Sequence, residues 1–208
     1  MGEVIFYEGR TVAANGLKKA AFPLEEKVKK YLFSQEFQNL SLLKRIPAIP
    51  LAKQKPVLFY PGCGVDILFP LIYLENLFPE VKTAYFVFND LDNNLNMIKT
   101  ILDDIGVSFE EKKNAIRFYW KERLVTLTFI QGSVFEMLDR IADYDIYFER
   151  AFRIMKKQHT EYEQSIYDRL PLQGVIISDS GFQQFPLEKI SVDQGLSAYG
   201  EMIVGRKK

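Results

Sequence analysis

This chain has very little of the chemistry that metal sites and disulfide frameworks need. One cysteine excludes an internal disulfide. That cysteine and a single histidine are too few for a Cys/His zinc centre. Excess charge is missing as well: 27 basic residues balance 27 acidic ones, so no broad electrostatic footprint for a nucleic-acid backbone exists. No apolar run reaches membrane-spanning length, and no charged-then-apolar leader opens the sequence. A cytoplasmic, soluble protein with neither nucleic acid nor membrane as partner is expected. No internal repeat or low-complexity linker interrupts the chain. What is present is ample apolar material, 48% of 208 residues, enough for one domain with a small appendage.

The stretch from Pro56 to Pro79 organises the rest. Val57-Leu58-Phe59-Tyr60 reads as a strand, Pro61-Gly62-Cys63-Gly64-Val65-Asp66 as a turn, and Ile67 to Phe78 as a helix apolar nearly all round. Pro70 falls near the first turn, where a missing N–H costs little, and Pro79 ends the helix. A strand–glycine turn–helix unit offers backbone N–H groups and a positive helix end to an anionic or nucleotide-like ligand. Counted from Gly62, the dinucleotide pattern G-x-G-x-x-G would place its last glycine at Ile67, a bulky branched residue.

The segment Phe59-Tyr60-Pro61-Gly62-Cys63-Gly64-Val65-Asp66 instead resembles the glycine loop of Rossmann-like (class I) S-adenosylmethionine-dependent methyltransferases. It departs from that loop twice. Tyr60 stands where the strand-end acid is usual, and Asp66 where the third glycine is usual. The second strand, Thr83 to Phe88, runs into Asn89-Asp90-Leu91-Asp92, which resembles the family at the next strand end. Asp90 is placed to accept hydrogen bonds from both ribose hydroxyls, slightly farther along than the usual interval of about 20 residues, and Asp92 to cap the next helix; a plain helix cap is the alternative for Asp90 as well. That helix carries Leu95, Ile98, Leu102 and Ile105, with Gly106 as its stop.

Ile116, Phe118 and Trp120 alternate, a turn follows at 121–123, and Val125, Leu127 and Phe129 alternate again, which predicts a hairpin. At its end Gln131-Gly132-Ser133-Val134 lies where the family reads adenine. Gln131, Ser133 or the Val134 backbone fits that contact, and a plain strand-to-helix cap is the alternative. The resemblance thus implies cofactor contacts from Tyr60, Gly62, Cys63, Gly64, Asp66, Asp90, Leu91, Gly132, Ser133 and Val134, with Asp66 read equally as a cap of the helix that follows.

The next strand, Tyr144 to Phe148, leads into Glu149-Arg150-Ala151-Phe152, where the family handles its acceptor. The Asn/Asp-Pro-Pro-aromatic run of enzymes acting on base or glutamine amines is missing there, and the one thiol, Cys63, sits in the glycine turn, which disfavours cytosine carbon methylation. Side chains alternate along a strand, so one of Glu149 and Arg150 faces the cleft. Glu149 is preferred as general base and Arg150 as a holder of an anionic acceptor, and an ion pair or helix cap near the surface is the alternative. His159 reads as an exposed loop residue ahead of a capping box at 160–163.

The resemblance covers roughly residues 55–205. It implies an α/β three-layer sandwich with a mainly parallel seven-stranded sheet, the last strand antiparallel, and an eighth strand from the hairpin near Trp120. Strands at Val175 to Ser178, Lys189 to Val192 and Tyr199 to Val204 complete that count. Residues 1–50 are expected to form a helical cover and 51–208 the cofactor domain. In the cover, Leu24 to Arg45 reads as one or two helices closed by Pro47 and Pro50. Phe6, Tyr7, Tyr31, Phe33 and Phe37 are read either as core or as the lining of an acceptor pocket. The function expected is methyl transfer from S-adenosylmethionine to a small-molecule oxygen or nitrogen acceptor. A degenerate fold that binds without catalysis, or a nicotinamide-dependent oxidoreductase, are the alternatives.

Overall fold

A computed structural model describes residues 4–5, 7–19 and 22–208; Phe6 lies outside them. In the cover the apolar positions do not follow one helical period. The chain bends repeatedly to bring Val28, Leu32, Leu43, Ile46 and Ile49 each into the core. The result is two short helices, α1 (Glu25–Val28) and α2 (Ser34–Asn39), each running into a 3-10 turn, rather than one long rod. Glu36 helps start α2 by accepting the Phe33 N–H at 3.3 Å.

After the cover come β1 (Val57–Pro61), α3 (Leu68–Leu77), β2 (Thr83–Asp90), α4 (Leu95–Asp104), β3 (Phe109–Lys112), β4 (Ala115–Trp120) and β5 (Arg123–Gln131). Then follow α5 (Val134–Met137), β6 (Ile146–Glu149), α6 (Arg153–Lys156), α7 (Tyr162–Arg169), β7 (Val175–Ser178), β8 (Leu187–Ile190) and β9 (Ile203–Lys207). Among the described residues the sheet has nine strands in the order β3-β4-β5-β2-β1-β6-β7-β9-β8. The expectation of seven strands plus one is therefore corrected. β3 was hidden because Phe109 is its one buried residue and Glu110, Glu111 and Lys112 are exposed, a charged edge with no alternation to read. β8 and β9 also lie a few residues from their expected places. Within the nine, β9 runs against β7 and β8, and β4 against β3 and β5, while the central pairs are parallel.

Alternation sorts each central strand between two apolar layers. Leu58 and Tyr60 of β1, Phe86 and Phe88 of β2, and Ile146 and Phe148 of β6 pack with α3, α4 and the cover. Phe59, Tyr147 and Ile176 face the other way, toward Tyr162 and Ile166 of α7. α3 is squeezed between sheet and cover, which is why Leu68, Phe69, Leu71, Tyr73, Leu74 and Leu77 are all buried. From β1 the chain steps outward to β2 and then β5, and afterwards crosses back to the far side of β1 as β6. The strand order reverses between β1 and β6. A crevice opens at such a reversal, outside the carboxyl ends of the strands. No helix among the described residues is long and apolar enough to cross a membrane.

Candidate functional site

The glycine turn occupies that crevice. Gly62 (φ +57°) and Gly64 (φ +53°) are both left-handed, a conformation that disfavours side chains. Their surroundings differ. A Cβ on Gly62 would lie 2.5 Å from the Phe152 ring, whereas nothing stands within 4 Å of a Cβ on Gly64. Gly62 is needed for packing, and Gly64 leaves open space against bare backbone.

Neighbouring strand ends are laced to this turn. Asp90 Oδ2 accepts the Gly64 N–H at 2.7 Å, and its Oδ1 accepts the Asp92 N–H at 3.3 Å. The Cys63 N–H donates to the Asn89 carbonyl at 3.2 Å. Buried Asn89 donates through Nδ2 to the carbonyls of Ile130 and Gly132, both at 2.9 Å. The ends of β1, β2 and β5 are thereby fixed relative to one another. Asn89 went unread in the sequence, where it looked like a neighbour of Asp90.

Below the turn lies a chain of charges. The Tyr60 hydroxyl donates to Asp66 Oδ2 at 2.9 Å, and Asp66 Oδ1 accepts the Phe69 N–H at 3.1 Å in the first turn of α3. Arg150 reaches Asp66 at 3.4 Å and Glu36 at 2.8 Å, with its guanidinium 3.2 Å from the centre of the Phe69 ring. Burial raises the Asp66 carboxyl above its ordinary value, and the Arg150 charge and the hydrogen bonds oppose that rise. Burial and the nearby Asp66 charge also hold the Tyr60 phenol well above its ordinary value. Cys63 is buried, and desolvation with the charges of Asp90 and Asp66 pushes its thiol up, so it is no ready nucleophile.

Glu149 and Arg150 do diverge, but in the opposite sense to the expectation. Glu149 is still part of β6, paired with Ser178 of β7, so it points to the face opposite Phe148. It is 0% exposed. Its carboxylate accepts the Tyr147 and Ser178 hydroxyls and meets the ammonium of Lys156, itself 5% exposed. Arg150, one residue beyond the strand, turns into the cleft. Ala151 then takes a left-handed φ of +54° and donates its N–H to Asp179 Oδ2 at 2.8 Å.

A cavity of about 290 Å³ gathers Tyr60, Gly62, Cys63, Gly64, Asp66, Arg150, Ala151 and Asp179 with Tyr7, Tyr31 and Phe33 of the cover and Ala198 and Tyr199 of the C-terminal segment. A second cavity of about 460 Å³ adjoins it across Glu36, Phe69, Arg150 and Ala198. Three of the aromatic residues read from the sequence thus wall the cleft, while Phe37 lines a separate groove beside Trp120. Asp90 touches the turn through Gly64. Leu91 is exposed, Ser133 opens α5, and Val134 is buried under it; these stand at the ends of β2 and β5 and do not line the cavity. Gly132 (φ +141°) is covered by the Met137 sulfur. His159 is exposed and stacks on Phe135, ring centres 3.6 Å apart. Asp179 and Lys156 were missed as well. An acid directly after the β7 run was the available signal for Asp179, whereas nothing local marks a lysine that will be buried. No group of three or more His, Cys, Asp or Glu among the described residues is arranged to hold a metal.

No family model matches this chain, and no curated protein does. Solved structures similar to it include TrmN from Thermus thermophilus, at 12% identity and TM-score 0.43, covering 82% of this chain and 48% of that one. An S-adenosyl-L-methionine methyl transferase from Silicibacter pomeroyi matches at 11% identity and TM-score 0.42, covering 83% of this chain and 96% of that one. A precorrin 8w decarboxylase from Methanobacterium thermoautotrophicum matches at 18% identity and TM-score 0.39, covering 69% of this chain and 60% of that one.

Proposed function

We propose that this chain is an S-adenosylmethionine-dependent methyltransferase acting on a small-molecule oxygen or nitrogen acceptor. The observation that carries the reading is the place of the glycine turn. It resembles the family's loop in sequence, and it lies in the crevice at the strand-order reversal with the open side of Gly64 next to the Asp90 carboxylate. These residues fit the cofactor: Gly64 leaves room against the backbone, and the Asp90 oxygens, each with one N–H donor, can accept further bonds from ribose hydroxyls. Tyr60, Gly62, Cys63, Gly64 and Asp66 would hold the amino acid end, and Asp90, Leu91, Gly132, Ser133 and Val134 the nucleoside. When bound, the sulfonium supplies a methyl group to an acceptor lone pair while the carbon–sulfur electron pair returns to sulfur.

The chain's own contribution is orientation and exclusion of water by the cover. Arg150 belongs to the cleft wall and ties Asp66 to Glu36, and Glu149 belongs to the framework beneath it. Ile67 is fully buried against the sheet, so a branched side chain sets the helix–strand spacing that a dinucleotide loop assigns to glycine. That counts against the nicotinamide alternative. Titration calorimetry with S-adenosylhomocysteine tests the reading. Binding is expected, with a loss of about tenfold or more for Asp90→Ala, one or two charged hydrogen bonds, and none for Asp92→Ala. No heat of binding at millimolar ligand would end the proposal.

A further inference from the structure

The cleft wall is unevenly charged. Glu36 and Asp66 share Arg150, but the third carboxylate, Asp179, has no cation beside it among the described residues. Asp179 is 5% exposed, its Oδ2 takes the Ala151 N–H, and its Oδ1 is buried without any hydrogen-bond partner among the described residues. A desolvated carboxylate oxygen left in that state is costly unless a cation or a donor meets it. The surroundings hold it firmly in place. Ala151 is kept in a left-handed conformation to reach Oδ2, and the Asp179 carbonyl accepts the Ser197 hydroxyl at 2.7 Å, tying down the segment that carries Ala198 and Tyr199.

The cavity that Asp179 lines is also walled by rings. Tyr7, Tyr31, Phe33 and Tyr199 line it, with Tyr7 and Tyr31 stacked at 6.0 Å. Aromatic faces next to an uncompensated carboxylate suit a cation carrying N–H donors. They do not suit an anion, because Arg150 is already engaged by two carboxylates and by the Phe69 ring. A neutral hydroxyl compound could satisfy Oδ1 but would leave its charge unbalanced.

We propose that Asp179 makes its side of this cavity the subsite for a cationic amine, and that the acceptor is therefore a small arylalkyl- or alkylamine, bound as its ammonium and passing one N–H proton to the Asp179 carboxylate to free the lone pair that takes the methyl group. The proposal rests on the methyltransferase reading for what happens to the amine, and not for its binding. The probes are 2-phenylethylamine and its neutral counterpart of the same shape, 2-phenylethanol, titrated into the full chain with and without S-adenosylhomocysteine. Wild type should bind the amine at least tenfold more tightly than the alcohol. Asp179→Asn should abolish that preference while leaving S-adenosylhomocysteine affinity within twofold. Phe33→Ala, at the exposed rim, should weaken the amine several-fold in a fully folded protein, so the test survives even if Asp179→Asn melts. Equal affinity for amine and alcohol in wild type overturns the proposal. A parallel loss of S-adenosylhomocysteine affinity in Asp179→Asn also overturns it, by assigning the carboxylate to the cofactor's own ammonium. Amine preference without any S-adenosylhomocysteine binding would sink the methyltransferase reading and leave the amine site standing.

Discussion

Replacing Glu149 by glutamine separates a framework residue from a catalytic one. In the structure the carboxylate accepts two hydroxyls and meets a buried ammonium, with no exposure to the cleft. Removing one partner of a buried ion pair typically costs about 3–5 kcal/mol. Here Lys156 keeps Glu163 at 3.0 Å and the Ser180 carbonyl, so its charge is not stranded. The amide also still accepts from one hydroxyl. A loss of about 2–3 kcal/mol is therefore expected, a substantial part of the roughly 5–15 kcal/mol that holds a domain folded. Urea unfolding of Glu149→Gln should show a lower midpoint at an unchanged slope. With Lys156→Met added, the two losses should not sum, because the pair they share is lost only once, and the cycle should give a coupling above about 1 kcal/mol. S-adenosylhomocysteine affinity of the folded variant should match wild type. The reasoning fails if Glu149→Gln is as stable as wild type but loses ligand affinity or methyl transfer.

The two turn glycines should respond differently to alanine. Gly64→Ala meets only its left-handed backbone, about 1–2 kcal/mol, while Gly62→Ala also drives a methyl into the Phe152 ring and should cost at least about 1 kcal/mol more in urea unfolding; equal losses would refute this. Alkaline stability gives a further check. Burial raises the phenols of Tyr60, Tyr147 and Tyr162 and the Cys63 thiol in the folded state. The unfolded chain therefore releases these protons first. Their stabilisation is fully present below the ordinary values of about 8.5–10 and is lost as pH rises beyond them, at about 1.4 kcal/mol per pH unit for each group. Urea midpoints should be steady from pH 7 to 8 and fall steeply between pH 10 and 11, and a flat profile would contradict the burial.

Local patterns carried much of this architecture. The apolar run before Gly62 and the all-round apolar helix after it are visible residue by residue, because a strand–turn–helix unit is built from near neighbours. The same holds for Asp90 at the end of the second strand and for the alternation in β4 and β5. Alternation also said that Glu149 and Arg150 must part. It could not say which would enter the cleft, because that depends on β6 continuing through Glu149 in register with Ser178 of β7. β3 escaped notice because an edge strand needs only one apolar anchor. The charge pattern of the site was invisible for a related reason. Arg150 finds Glu36 from 114 positions away, Lys156 finds Ser180 from 24, and Ala151 finds Asp179 from 28. Periodicity reports which face a side chain takes on its own element, but the cost of burying a charge is set by whatever the fold brings opposite. That is why the sequence determined the position of the glycine turn, while the tertiary structure alone decided that Glu149 is compensated and Asp179 is not.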